Sequence, residues 1–367
     1  MLKCNATALI VLFSLLAGPL AAQAEPEAAP PIRWHEVSPA EVVGQGWKDT
    51  KSPFDRLPAH AEKVAPKAVW DLSHHSAGLY VDFASDAKSI TARWTLTSDR
   101  LAMPHMPATG VSGLDLYVKQ GGKWHYLATG RPTEPSTNEV TLTTGLAGTP
   151  GDFRLYFPLY NGVSKVEIGV PEGASIKFTS SAESGTKPVV IYGTSITQGG
   201  CASRPGMSYA AILGRRLGVP VVNLGFSGSG KAEVEMARLV AEIDASVFVL
   251  DPLPNLFPEQ VAERLPGFVK ILREKHPQTP ILLNECPLYP PIMFVSDQKK
   301  KVADSNEFLR QVGKRQADSG DLKIFLVPAC DLEGEFGEST VDGIHPTDIG
   351  FVMMADVLEP YLRKALK

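Results

Sequence analysis

Apolar and polar residues follow two different rhythms along this chain. Up to about residue 180 the period is mostly two. GLYVDF from Gly78, SITARWTL from Ser89, GLDLYVK from Gly113, EVTLTT from Glu139 and KVEIGV from Lys165 alternate in character and are separated by Gly, Pro, Asp and Ser clusters. Alternation turns one face of each strand to a core and the other outward, so short strands punctuated by turns predict an antiparallel β-sandwich. Near Ala182-Glu183-Ser184-Gly185-Thr186 the rhythm changes. Continuous apolar runs at Val189 to Tyr192, Val221 to Leu224, Val247 to Leu250, Ile281 to Leu283 and Ile324 to Val327 now alternate with helical spacing. The helical segments include MSYAAILGRRL from Met207, EQVAERLPGFVKILREK from Glu259 and a last helix from about Thr347 to Leu366. Strands apolar on both faces, each followed by a helix, predict a parallel sheet covered on both sides, an α/β/α arrangement.

The start of the chain stands outside both patterns. MLKCNATALIVLFSLLAGPLAAQA has Lys3 near its beginning, an apolar stretch too short to span a bilayer comfortably, and the small-x-small ending Ala22-Gln23-Ala24. This reads as a secretory signal peptide cleaved after Ala24, and the EPEAAPP that follows argues against a membrane anchor. The expected organisation is a signal peptide at 1–24, a β-sandwich at 25–183 and an α/β domain at 184–367, in a protein exported to the periplasm or beyond. Composition alters this little. A net charge of −4 over 367 residues gives no reason to expect nucleic acid or an anionic membrane as partner. Cys201, Cys286 and Cys330 remain after cleavage, which leaves open one disulfide with a free thiol or three buried thiols. No CxxC or Cys/His spacing suggests zinc, so neither metal nor other cofactor is expected.

Candidate chemistry gathers at the strand ends. In VVIYGTSITQGG, Ser195 stands where the first parallel strand hands over to a helix, the edge at which open α/β sheets bind ligands. Taken alone, Ser195 or Thr197 reads better as a helix N-cap. A nucleophilic serine needs a base, a group to orient that base, and donors for an oxyanion. VDGIHPTDIG supplies Asp342 and His345 three residues apart, just before the last helix. NLGFSGSGKAE after the second strand offers the N–H of Gly228, and LDPLPNLFP after the third offers the side chain of Asn255. With the N–H of Ser195 these make a three-donor oxyanion hole. Arg204 in CASRPGM and Glu285 at the end of the fourth strand are candidates for contacting substrate, with a salt bridge and a structural hydrogen bond as the respective alternatives. His105, in an HMPATG loop of the β half, joins them if that loop reaches over the sheet edge.

Ser195, Gly228, Asn255 and His345, in that order and each in its own loop, resemble the four blocks of the SGNH hydrolases, also called GDSL-like lipases and acylhydrolases. GLDLY at Gly113 to Tyr117, preceded by MPHMPATGVS, is similar to the N-terminal β domain of one bacterial esterase branch. The resemblance implies a flavodoxin-like, three-layer catalytic domain, with Ser195 as nucleophile, His345 as base, Asp342 as its partner, and Gly228 and Asn255 in the oxyanion hole. Two departures stand out. Thr194 replaces the aspartate of the GDS triplet, so local support must come from elsewhere, and the Asn block reads DPLPN. The expected activity is hydrolysis of short, acetyl-type esters on a small molecule or polysaccharide. A lipase or arylesterase, a thioesterase, and a decayed glycan-binding protein are the alternatives.

Overall fold

The structure, a computed structural model, describes residues 30–179, 185–332 and 337–367. The signal-peptide reading and the expected boundary at 183/184 lie outside the described residues. Two antiparallel sheets make up the first half. One contains β1 (Ile32–Glu36), β4 (Ile90–Leu96), β7 (Thr137–Thr143) and β9 (Val163–Pro171), in the order β1-β9-β4-β7. The other contains β2 (Val42–Val43), β3 (Tyr80–Ser85), β5 (Leu114–Gln120), β6 (Lys123–Gly130), β8 (Gly151–Tyr156) and β10 (Ile176–Phe178), in the order β10-β3-β8-β5-β6, with β2 paired to β3. Their facing side chains, among them Phe83, Trp94, Leu114, Leu116, Phe153 and Ile168, form one buried cluster. The sandwich follows from the alternation seen in the sequence. The short helices α1 (Lys67–Ser73) and α2 (Ala108–Val111) interrupt it.

The second half is a five-stranded parallel sheet of β11 (Val189–Gly193), β12 (Val221–Gly225), β13 (Val247–Asp251), β14 (Ile281–Asn284) and β15 (Ile324–Val327), in the order β12-β11-β13-β14-β15. Between and after the strands come α3 (Ser195–Gln198), α4 (Tyr209–Leu217), α5 (Val234–Val240), α6 (Pro258–Lys275), α7 (Ser296–Asp318) and α8 (Asp348–Ala365). This is the doubly wound, flavodoxin-like order, in which the chain reverses direction of winding beside its first strand and opens a crevice at the strands' carboxyl ends. α8 begins as its sequence implied, with the Thr347 hydroxyl accepting the N–H of Gly350 at 3.3 Å. No described helix is long and apolar enough to cross a membrane.

The two halves pack as one compact unit over Ile32–Lys367. The core around the parallel sheet takes in Leu57, Val69, Met106, Val111 and Leu159 from the first half. The GLDLY stretch shows how the halves are joined. Leu114 and Leu116 point into the sandwich, so the strand's period of two turns Asp115 and Tyr117 the other way. Asp115, fully buried, accepts from Arg204 at 2.7 Å, from the N–H of Gly206 at 2.9 Å and from Thr129 at 2.8 Å. Tyr117 also accepts from Arg204 at 2.7 Å, and Arg215 lies over its ring at 4.2 Å. Burial pushes the Asp115 carboxyl up, opposed by the Arg204 charge. Cys201, Cys286 and Cys330 are all buried and unpaired, so of the two readings three buried thiols hold.

Breaking a buried ion pair from one side leaves a charge without compensation and typically costs about 3–5 kcal/mol. Asp115→Ala is therefore expected to lower the urea midpoint by an amount worth about 3 kcal/mol at unchanged slope. A midpoint equal to that of the unsubstituted protein would show that the clasp does not hold the halves together.

Candidate active site

β11 ends at Gly193, where a side chain would collide with the Thr197 hydroxyl and the Asp251 carbonyl. The absence of a Cβ lets the chain turn directly into α3. That helix lasts one turn because Gly199, at φ +105°, takes up the left-handed conformation that terminates it. Thr194 is its N-cap, accepting the N–H of Ile196 at 3.3 Å. The capping role thus falls to Thr194 and to neither Ser195 nor Thr197, and the Ser195 side chain is left for other work.

Ser195 Oγ lies 2.8 Å from His345 Nε2, and His345 Nδ1 lies 2.7 Å from Asp342 Oδ2. The other Asp342 oxygen accepts the backbone N–H groups of Ile344 at 3.1 Å and His345 at 2.8 Å. One side chain thereby fixes both the loop and the ring, helped by Gly343 at φ +85°. Partial burial pushes the Asp342 carboxyl up, but the N–H and ring of His345 and the N–H of Ile344 outweigh it and hold the group below the usual carboxylate range. An ionised carboxylate, an imidazole and a hydroxyl in this sequence of contacts can pass a proton from serine to histidine.

Donors without partners follow the adjacent strands. Among the described residues neither the Ser195 nor the Gly228 N–H donates a hydrogen bond. Asn255 Nδ2 is buried with no partner. Gly228 has φ +68°, and nothing lies within 4 Å of where its Cβ would be, so the conformation demands glycine while the space beside it stays open. Native proteins rarely leave buried donors unmet. The buried Asn255 amide and Ser195 N–H, with the exposed N–H of Gly228, stand at neighbouring strand ends as donors suited to receive an oxygen.

Several supporting residues, Gln198, Asp251 and Tyr160 among them, were not singled out from the sequence, and His75 is expected there only as a satisfied or exposed histidine. Gln198 Oε1 accepts the Ser227 N–H at 3.0 Å, while its Nε2 donates to the Leu159 carbonyl at 3.0 Å and meets His75 Nδ1 at 3.0 Å. A carbonyl can only accept and an N–H only donate, so the amide has one orientation and His75 Nδ1 must be the acceptor. Burial, Arg56 and neighbouring cations push His75 down to about 3, keeping the ring neutral for that part. With the Ser227 N–H engaged, the free donor of that turn is Gly228. Asp251, wholly buried, accepts from Tyr209 at 2.7 Å, Thr197 at 2.9 Å and Asn284 at 3.0 Å. This carboxylate on β13 holds α3 through Thr197. Tyr160 donates to the Ser195 carbonyl at 3.2 Å. In the sequence only Asp251 of these four, the last residue of β13, carries the weak signal of a polar side chain at a strand end; Gln198 in α3, His75 after α1 and Tyr160 beyond β8 carry none.

The remaining candidates separate. Arg204 is committed to Asp115 and Tyr117, with Tyr126 under its guanidinium at 4.0 Å. Glu285 receives Arg310 at 2.6 and 3.0 Å and the N–H of Ala329 at 3.1 Å, a structural bond between β14 and α7. His105 does reach the site, its ring centroid 5.7 Å from that of His345.

Comparison with known proteins accords with this geometry. Residues 186–363 match the GDSL-like Lipase/Acylhydrolase family, and residues 32–176 match the N-terminus of the SGNH-hydrolase-type esterases. No curated protein matches the chain. Among solved structures, a protein of Bacteroides ovatus assigned as a GDSL-like lipase is 33% identical, with 92% of this chain and 98% of that one covered and a TM-score of 0.85. A salicylyl-acyltransferase from a tetracycline biosynthetic pathway is 22% identical, covering 90% and 97%, with a TM-score of 0.71. An acetyl xylan esterase from the rumen bacterium Butyrivibrio proteoclasticus is 14% identical, covering 91% and 98%, with a TM-score of 0.54. The last two likenesses show the fold. The first extends over nearly the whole of both chains, and on that ground this protein belongs to the GDSL-like lipase/acylhydrolase family and is a carboxylic ester hydrolase of the SGNH type.

Proposed function

We propose that the chain is an exported serine esterase that removes short acyl groups, acetyl above all, from carbohydrate through an acyl-enzyme. The observation that carries this reading is the hydrogen-bonded run from Ser195 through His345 to Asp342, at 2.8 and 2.7 Å. In the mechanism, Ser195 Oγ attacks the ester carbonyl as its proton passes to His345 Nε2, with Asp342 holding the ring and balancing the imidazolium. The carbonyl oxygen, now an alkoxide, takes the N–H groups of Ser195 and Gly228 and the amide of Asn255. His345 returns the proton to the departing alcohol, and a water then repeats the sequence to release the acid and restore the serine. The reaction needs no cofactor.

Export, and with it the start of the first domain at residue 25, rests on the composition of residues 1–24, and the division into 25–183 and 184–367 rests on the change of rhythm near residues 182–186. The short acyl group is argued from the lack of any lid-like amphipathic insertion in the sequence. Carbohydrate as the alcohol part rests on the attached β-sandwich and on likeness of fold to the acetyl xylan esterase. A second reading has one observation in its favour. Phe257, two residues past Asn255, is 61% exposed, Phe294 in the loop beyond β14 is 84% exposed, and Ile344 beside His345 is 44% exposed. Exposed apolar side chains on these loops favour an ester with a larger apolar or aromatic part.

Acetate release from acetylated polysaccharide, measured beside hydrolysis of p-nitrophenyl esters of rising chain length, decides between the two. The proposal expects a maximum at acetyl and no activity in Ser195→Ala; a maximum at long or aromatic acyl groups gives the second reading, and residual activity in Ser195→Ala removes the serine from the mechanism. Asn255→Ala is expected to lower kcat by about 100- to 1,000-fold with KM nearly unchanged, and an equal rise in KM would make Asn255 a substrate-binding residue instead. Gln198→Leu, which frees the Ser227 N–H and with it the Gly228 turn, is expected to lower kcat on the order of 100-fold, also without a matching change in KM. Unchanged kcat would show that the turn keeps its shape without the amide.

A further inference from the structure

The site holds more metal-binding chemistry than ester hydrolysis uses. One ligand atom from each of His105, Cys201, Asp342 and His345 lies within 4.8 Å of every other. The four come from distant parts of the chain: His105 from the loop before α2, Cys201 from the turn after α3, and the other two from the loop before α8. Cys201 is one of only two non-glycine residues in the described structure with positive φ, at +72°. A glycine would adopt that backbone more easily, yet the position carries a thiol, buried beside Asp342.

We propose that these four residues bind a zinc ion and that the ion switches the enzyme off. The inhibition, though not the binding, rests on the roles given above to Asp342 and His345. Two imidazoles, a thiolate and a carboxylate are the donor types that zinc prefers, whereas calcium and magnesium favour sites made of oxygen. Zinc bonds of about 2.0–2.3 Å in a tetrahedron put neighbouring ligand atoms roughly 3.3–3.8 Å apart. Closing from the present spread takes on the order of 1 Å, and the exposed His105 can supply most of it. As the Zn–S bond forms, the Cys201 thiol gives its proton to solvent. Asp342 and His345 exchange the hydrogen bond between them for bonds to the metal, and the proton that His345 Nδ1 gives up is taken on at Nε2 in the other tautomer. The imidazole is then no longer the base that Ser195 needs, and no electron changes hands. The ion is an inhibitor competing for the proton-transfer machinery, not a cofactor.

The test uses the full mature chain carrying Ser195→Ala, so that binding is read without activity. Equilibrium dialysis against zinc chloride is expected to give one ion per chain. His105→Ala and Cys201→Ser, each added to that chain, are expected to weaken binding by about tenfold or more, with near-ultraviolet circular dichroism showing that both are folded. In parallel, zinc should inhibit the chain with Ser195 intact at the concentration that half-fills the site, with recovery on adding EDTA. His105→Ala and Cys201→Ser, each compared with its own uninhibited rate, should shift that concentration upward by the same factor. Absence of stoichiometric zinc, or binding equally tight in both variants, overturns the site. Binding with the expected losses but no inhibition leaves the zinc site standing and overturns instead the assignment of Asp342 and His345 to catalysis.

Discussion

The buried guanidinium of Arg56 ties the sandwich half to the strand that leads into the Gly228 turn. Its Nη1 donates to the carbonyls of Gly225 at 2.7 Å and Asn223 at 3.2 Å, its Nη2 to Leu72 at 2.7 Å and its Nε to His75 at 2.8 Å. Phe226 lies against it, 4.8 Å from the ring centroid. Burial pulls the group down to about 9, against the opposing influence of Tyr160 and Asp55, so it remains charged at neutral pH. A buried cation must have its donors met, and here the acceptors belong to both halves. The bond to His75 is then passed on, since the His75 ring accepts from Gln198 and Gln198 accepts from Ser227. The β-sandwich is in this sense part of the site and does more than accompany it.

The same edge shows two opposite treatments of polar groups. Beneath Ser195 everything is satisfied: Asp251 has Tyr209, Thr197 and Asn284, and the Ser195 carbonyl has the N–H groups of Gly199 and Gly200 and the Tyr160 hydroxyl. Above it the donors of Ser195, Gly228 and Asn255 are unmet. A saturated layer under an unsaturated one means that, in the proposed mechanism, the donors do not need to reorganise when charge develops, which is where electrostatic catalysis gains most. Local rules of satisfaction are broken where function needs it and kept everywhere around it.

Much of this was legible in the chain. Five runs of two-fold alternation marked β3, β4, β5, β7 and β9 of the sandwich; β1, β6 and β8 were not read from the sequence, and the two-residue β2 and three-residue β10 were too short to show any period. All five parallel strands were legible as continuous apolar runs, which burial on both faces produces in β11 to β14, while β15 at the sheet edge keeps the run although only partly buried. Ser195, Gly228, Asn255 and the Asp342 and His345 pair could be picked out as candidates because each sits just after a strand or before a helix, and a parallel sheet brings such positions to one edge.

Partnership was what the chain left undecided. Periodicity states which face of an element is buried, but carries no information about what lies against that face. Arg204 could equally have faced a substrate, and only packing matched it to Asp115, 89 residues away. Gln198 and His75, 123 residues apart, have no common motif, and His105 became a neighbour of His345 only when the sandwich docked on the sheet. The sequence by itself determined the elements, the fold class and the loops that hold the chemistry, because these depend on local spacing. The tertiary structure alone decided which polar groups are paired and which are free, because hydrogen bonds are directional and their partners come from parts of the chain that no local pattern connects.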